Sequence, residues 1–170
     1  MTTPTVQPVL RPAAPADLPA VERLLAAADL PTAGVAELFV THADDFVVAD
    51  DPTAPGELAA VAGLEVCGDG SRHANALLRS VAVRPDRRAH GLGHALVTRV
   101  VCRAEERGLR ALYLLTMTAE HYFPRFGFAR VDRGDVPAEI AATVEFRSAC
   151  PASAVAMARL LAAAGEGTPA

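Results

Sequence analysis

The chain has 170 residues, 51% of them hydrophobic and 21% charged, with a formal net charge of −4. That length suits one domain with a substantial core, and that balance excludes an intrinsically disordered chain. It contains no Lys and no Trp, so every cation is Arg or His, and no basic block marks a nucleic-acid surface.

In chain order, Val6 to Leu10 is short and apolar enough for an opening strand. Asp17 stands at an N-cap position ahead of Leu18, Val21, Leu24 and Leu25, which recur at helical spacing. A second short helix is expected over Thr32 to Thr41. Phe46 to Ala49 reads as a strand, and Asp50 to Gly56 as a turn rich in Asp, Pro and Gly. Leu58 to Cys67 is the next strand, Gly68 to His73 a hairpin loop, and Ala76 to Val83 a buried strand stopped by Arg84-Pro85-Asp86.

From Leu92 the positions Leu92, Leu96, Val97, Val100, Val101 and Ala104 form an apolar stripe opposite Arg99, Arg103, Glu106 and Arg107, with Gly108 as the stop. Ala111 to Leu115 reads as a strand, Ala119 to Phe126 as a short helix capped by Gly127, and Phe128 to Val131 as a strand. Pro137 to Phe146 follows as a helix and Ser153 to Leu161 as a final strand. The expected domain covers 1–162, with a frayed tail at 163–170. This order gives an α/β class with a mixed sheet.

Three cysteines, Cys67, Cys102 and Cys150, are too few and too scattered for a disulfide framework or a zinc site. They are expected as reduced thiols, with no metal centre. No stretch reaches the roughly 20 apolar residues of a membrane span. The start, Met1-Thr-Thr-Pro-Thr-Val, lacks the basic and apolar regions of a signal peptide. A soluble, cytoplasmic protein is expected.

The stretch from Leu78 to Leu96 carries the most chemistry. A buried strand ends, a basic loop with Arg87 and Arg88 follows, and Gly91 and Gly93 open an amphipathic helix. The first N–H groups of a helix have no partner within it, and the helix dipole places positive charge there, so this is an anion site. Glycine lets a pyrophosphate approach the backbone closely. A Walker loop is excluded because it needs Lys. A dinucleotide fingerprint would need a third Gly where Leu96 stands, and a tight packing turn is the plainest alternative.

The run Arg88-Ala-His-Gly-Leu-Gly93, placed after Val81-Ala82-Val83, resembles the pyrophosphate motif Arg/Gln-x-x-Gly-x-Gly/Ala of the GNAT superfamily of N-acetyltransferases. Leu112 to Thr118, followed by Tyr122-Phe-Pro-Arg-Phe-Gly-Phe128, is similar to the second half of that family's core. The resemblance spans roughly residues 6 to 161. It implies a single-domain fold of this type: a mixed, mostly antiparallel sheet of about six or seven strands flanked by about four or five helices. It also implies acetyl-CoA as cosubstrate.

By that resemblance the backbone of Val81, Ala82 and Val83 lies along the pantetheine. The N–H groups of Arg88, Ala89, His90, Gly91, Leu92, Gly93 and His94 hold the pyrophosphate. The chemistry is direct attack of an amine on a thioester, which needs alignment, a polarised carbonyl and an unprotonated amine. Many family members place a Tyr four residues before the Gly of Gly-Phe to return a proton to the thiolate. Here Phe123 stands there, which leaves the neighbouring Tyr122 as the candidate acid, with a packing role as its alternative.

Arg79 lies in an otherwise apolar strand, on the same face as Val81. It is read either as the partner of a nearby acid such as Glu65 or as a fork for a substrate carboxylate. Ser80, Thr116 and Thr118 are candidate hydroxyl donors to the acceptor. Leu77 to Val83, Tyr113 to Thr118, Arg130 to Pro137 and Phe146 to Ala154 are similar to the arsenic-resistance N-acetyltransferases of arsenic operons. The Leu114-Leu-Thr-Met-Thr118 run and the Val131-Asp132…Val136-Pro137 segment also resemble the acetyltransferase domain of N-acetylglutamate synthase. Both imply an amino-acid-like amine as the small-molecule partner, with glutamate or an organoarsenical mimic in view, and neither nucleic acid nor membrane. They are also compatible with a homodimer. A protein N-terminus or antibiotic amine, and a non-catalytic acyl-CoA-binding module, stay open as alternatives.

Overall fold

The computed structural model describes residues 8–69, 73–88, 90–149 and 151–161. Its strands are β1 (Leu10–Pro12), β2 (Phe46–Asp50), β3 (Leu58–Val66), β4 (Asn75–Val83), β5 (Ala111–Thr116), β6 (Ala129–Val131) and β7 (Val155–Leu160). Its α-helices are α1 (Leu18–Ala27), α2 (Val35–His42), α3 (Leu92–Glu106) and α4 (Ala138–Ala141), joined by a π-helical turn at Glu145–Ala149. Backbone pairing orders the strands β1-β2-β3-β4-β5-β7-β6 in one mixed sheet. The expected α/β class and strand number are met.

The chain forms two compact units, and strands β3 and β4 run through both. The first takes the described residues up to Gly63 together with Ser80–Leu96; the second takes Leu64–Arg79 and the residues from Val97 onward. In the first unit, β1 and β2 pair antiparallel, as do β2 and β3, with a register shift at Ala49/Asp50. Helices α1 and α2 bury Val21, Leu25, Val35 and Phe39 against Phe46, Val48, Val61 and Ala82. The Phe39 and Phe46 rings lie 4.7 Å apart, tilted by 52°.

In the second unit, β4 and β5 run parallel from Asn75↔Ala111 to Leu77↔Tyr113, and both strands continue past that ladder. Strand β7 pairs antiparallel with β5 and with β6. The core there gathers Cys67, Leu77, Ile140, Phe146 and Ala156, with Tyr113, Leu115, Val131 and Val136 around it.

Three sequence expectations are corrected, one of them the helix expected over Pro137 to Phe146, which ends at Ala141 in α4 and is followed by the π-helical turn at Glu145–Ala149. The opening strand is Leu10–Pro12, and residues 1–7 of the expected Val6 start lie outside the described residues. Asp17 holds the N-cap position of α1 as expected, but its carboxylate makes no capping bond there; it accepts the Ala14 N–H (2.7 Å) and pairs with Arg11. The helix expected over Ala119 to Phe126 is a 3₁₀ turn at Phe123–Phe126, ended by Gly127 at φ +86°. The expected tail and Cys150 lie outside the described residues.

Candidate active site

Strand β4 ends by turning into a loop whose every residue up to Arg88 is anchored. The Arg84 N–H donates to the Ala59 carbonyl (2.9 Å), Pro85–Arg87 forms a 3₁₀ turn, and the Arg88 backbone is extended. Arg88 is exposed and its Nε donates 3.3 Å to the Val83 carbonyl. Ala89 lies outside the described residues, and His90 is exposed.

Gly91 then sits at φ +75° with nothing within 4 Å of where a Cβ would stand. Its carbonyl accepts the Ala95 N–H (3.0 Å), so α3 opens here. The N–H groups of Leu92 and Gly93 belong to a first helical turn, which has no carbonyl one turn earlier. Leu92 is buried and pins the turn, while Gly93 is half-buried and His94 exposed. Upstream, Val81 and Val83 are half-buried and the Ala82 side chain packs into the first core, leaving its backbone as the only group able to serve a ligand. The described motif residues, Arg88 and His90 to His94, therefore sit at the N-terminus of a 15-residue helix.

The loop arginines are not equivalent. Arg84 Nη1 and Arg87 Nη2 each reach the Asp51 carboxylate at 2.8 Å. Arg87 also donates to Thr53 Oγ1 (2.7 Å). Asp51 lies in the turn between β2 and β3, with a side chain 0% exposed. Burial raises its pKa, but the Thr53 backbone and hydroxyl bonds and the Arg87 charge more than offset this, and the carboxyl is held below its ordinary range. The extra positive charge expected from Arg87 is thus matched within the protein. Sequence reading missed Asp51; its only local sign was an Asp-Pro-Thr turn, and pairing across 33 and 36 residues has no periodic signal.

The remaining candidates lie in both units: Ser80 in the first, and Arg79, Thr116, Thr118 and Tyr122 in the second. Ser80, which opens the first unit's share of β4, has φ +57°, a left-handed kink inside a strand and a costly one for a residue with a Cβ. Just before it, the Arg79 side chain is 1% exposed, with Nη1 at 2.8 Å from Glu65 Oε2 and Nη2 at 3.5 Å from Glu145 Oε1. The fork considered for a substrate is filled by the protein's own carboxylates. Glu65 was among the partners weighed from sequence; Glu145 was not.

Thr116 Oγ1 accepts the Ala119 N–H (2.9 Å), and Thr118 is exposed. Tyr122 is half-buried, 5.4 Å edge-on to both Phe123 and Phe126, with the Arg125 guanidinium 4.3 Å from its ring centroid. Burial pushes its phenol pKa up, so the hydroxyl keeps its proton at neutral pH. Phe123 is 7% exposed and packs toward Phe128. Among the described residues no group of three or more His, Cys, Asp and Glu is placed to hold a metal ion.

The model of the acetyltransferase (GNAT) family matches residues 17–128, from the N-cap of α1 to the residue just before β6. The chain belongs to this family. As a GNAT member it is an acyl-CoA-dependent N-acetyltransferase with acetyl-CoA as cosubstrate. It is 31% identical over 137 residues to an amino-acid acetyltransferase of Mycobacterium tuberculosis, covering 79% of this chain and 75% of that one. Among solved structures it is similar to Rv2747 of Mycobacterium tuberculosis in complex with CoA, at 25% identity and TM-score 0.72, over 91% of this chain and 100% of that one. It shares the fold of the N-acetylglutamate synthase of Neisseria gonorrhoeae, at 18% identity and TM-score 0.73, over 92% of this GNAT chain and 36% of the synthase.

Proposed function

We propose that this enzyme moves the acetyl group of acetyl-CoA directly onto the α-amine of a small amino acid or a close analogue. The observation that carries this is the glycine-opened start of α3 after the kinked β4, in a chain similar along most of its length to an amino-acid acetyltransferase. The N–H groups of the stretch from Arg88 to His94 receive the pyrophosphate, and the backbone of Val81, Ala82 and Val83 runs along the pantetheine.

The reaction needs little from side chains. The amine attacks the thioester carbon, the tetrahedral adduct expels the CoA thiolate, and the nitrogen sheds a proton. Tyr122, protonated at neutral pH, is the group we assign to hand a proton to the leaving sulfur. No covalent enzyme intermediate enters, which leaves Cys67 and Cys102 without a nucleophilic role. Ser80, Thr116 and Thr118 carry the proposed acceptor roles, while Arg79, whose fork is taken up by Glu65 and Glu145, keeps a structural one.

The sequence resemblance of Leu77 to Val83 and Phe146 to Ala154 to arsenic-operon acetyltransferases supports a second acceptor of the same shape, a glutamate-like organoarsenical, and with it a role in arsenic resistance. A thiol-release assay with acetyl-CoA and an acceptor panel tests both levels. Turnover of glutamate, glutamine or aspartate is expected. Release of CoA only with peptides or aminoglycosides overturns the acceptor class, and an organoarsenical turned over no better than glutamate removes the arsenic assignment.

A further inference from the structure

We propose that Asp51 is a positioning residue for the cofactor loop, tying Arg84 and Arg87 to the turn between β2 and β3 and so fixing the path from β4 to α3. This inference rests on the assignment of that loop to the pyrophosphate. The Asp51 carboxylate is saturated: Oδ1 accepts the Thr53 N–H (2.9 Å), the Thr53 hydroxyl (2.8 Å) and Arg87 Nη2 (2.8 Å), and Oδ2 accepts Arg84 Nη1 (2.8 Å). Its own backbone is held as well, with the Asp51 N–H on the Glu57 carbonyl (2.9 Å).

A fully buried carboxylate beside an anion site opposes the anion. A loop selected for positive charge alone would leave its arginines unpaired. Here two of three are drawn onto one acid, and Arg84 also meets Asp86 at 3.2 Å, so their charge is largely cancelled. What the arrangement supplies is geometry. Arg84 is held at its side chain by Asp51 and at its backbone by Ala59; Arg87 is held at its side chain by Asp51 and at its backbone by the Arg84 carbonyl (2.9 Å). Pro85 between them has a fixed φ. The chain therefore leaves the turn in one direction, and Arg88 and Gly91 arrive where the first turn of α3 needs them. A loop ordered before the ligand arrives spends less binding energy on ordering.

The contrast between acetyl-CoA and S-acetylpantetheine, which lacks the pyrophosphate, reads this role directly. In Asp51→Asn the KM for acetyl-CoA should rise roughly tenfold, the equivalent of one charge-assisted hydrogen bond. Its kcat, and kcat/KM for S-acetylpantetheine, should stay within about twofold of wild type. Thr53→Val keeps the charge and removes two of the bonds around it; it should raise the acetyl-CoA KM by a smaller factor, and it carries the test if Asp51→Asn does not fold. Equal losses with both donors, or no change with acetyl-CoA, overturn the positioning role. A wild-type enzyme that uses S-acetylpantetheine as well as acetyl-CoA overturns the pyrophosphate assignment itself, and the inference with it.

Discussion

Gly91 and Arg79 show two ways in which single positions matter. At φ +75° any side chain is strained, and the space where a Cβ would stand is open, as a site for a close-approaching ligand requires. Gly91→Glu therefore adds strain and sets a carboxylate at the proposed phosphate site. Calorimetric titration with acetyl-CoA should show affinity falling by at least about a hundredfold, the effect of two lost charge-assisted bonds; retained affinity would remove Gly91 from the site. Arg79 is the opposite case, a buried charge whose removal leaves Glu145, 6% exposed, without its cation. Arg79→Ala should cost about 3–5 kcal/mol in urea unfolding. The Arg79→Ala/Glu145→Ala double variant should recover part of it, because the remaining Glu65 side chain, 17% exposed, can turn toward water. Additive losses would show that the two do not interact. Sequence made Gly91 and Arg88 legible because a backbone-built phosphate site of the kind proposed leaves a fixed local spacing. It could not show Asp51 or Glu145, whose roles depend on contacts across the chain.

At the scale of elements, α1 and α3 were readable because their apolar positions repeat at the helical period and face a core. Two segments were misread for physical reasons. Pro124 lacks an N–H, and the rings of Phe123, Phe126 and Phe128 cluster, so packing rather than helical bonding sets the path after Ala119. The expected helix from Pro137 to Phe146 breaks at Thr143, whose hydroxyl donates to the Ile140 carbonyl (2.8 Å) and accepts the Phe146 N–H (3.4 Å). The β2–β3 pair offers the sharpest test of packing. Gly63 faces Phe46 in register, and a Cβ there would stand 2.5 Å from the Phe46 ring, itself fully buried against Phe39. Gly63→Ala should lower stability by about 1–3 kcal/mol through overpacking, read as a lower urea midpoint with unchanged slope. A neutral result would mean the Phe46 ring has room to shift.

For the molecule as a whole, charge sets a window of stability with different causes at its two ends. On the acid side, Asp17 and Asp50 are held below their ordinary range by hydrogen bonds from Arg11, Asp51 by the two Thr53 bonds and Arg87, and Glu139 by its backbone and Asn75 bonds. The unfolded chain takes up these protons near pH 4 and the folded chain only lower, so their stabilisation is present above about pH 4 and is lost as pH falls further. On the alkaline side every strong cation is Arg, which keeps its charge, so the ion pairs persist. The group that changes is Cys67, whose thiol is pushed up to about 12 by burial and by the charges of Glu65 and Glu139. An unfolded thiol ionises near about 8.5. The unfolded state therefore loses its proton first, and the stability held by the neutral thiol is present below about pH 8.5 and drains away as pH rises toward 12. The urea midpoint should be flat between these limits, and Cys67→Ala, though less stable at neutral pH, should flatten the alkaline decline. If the decline keeps its slope in that variant, the alkaline limit belongs to other groups, of which Tyr113 and Tyr122, both raised by burial, are the next to test.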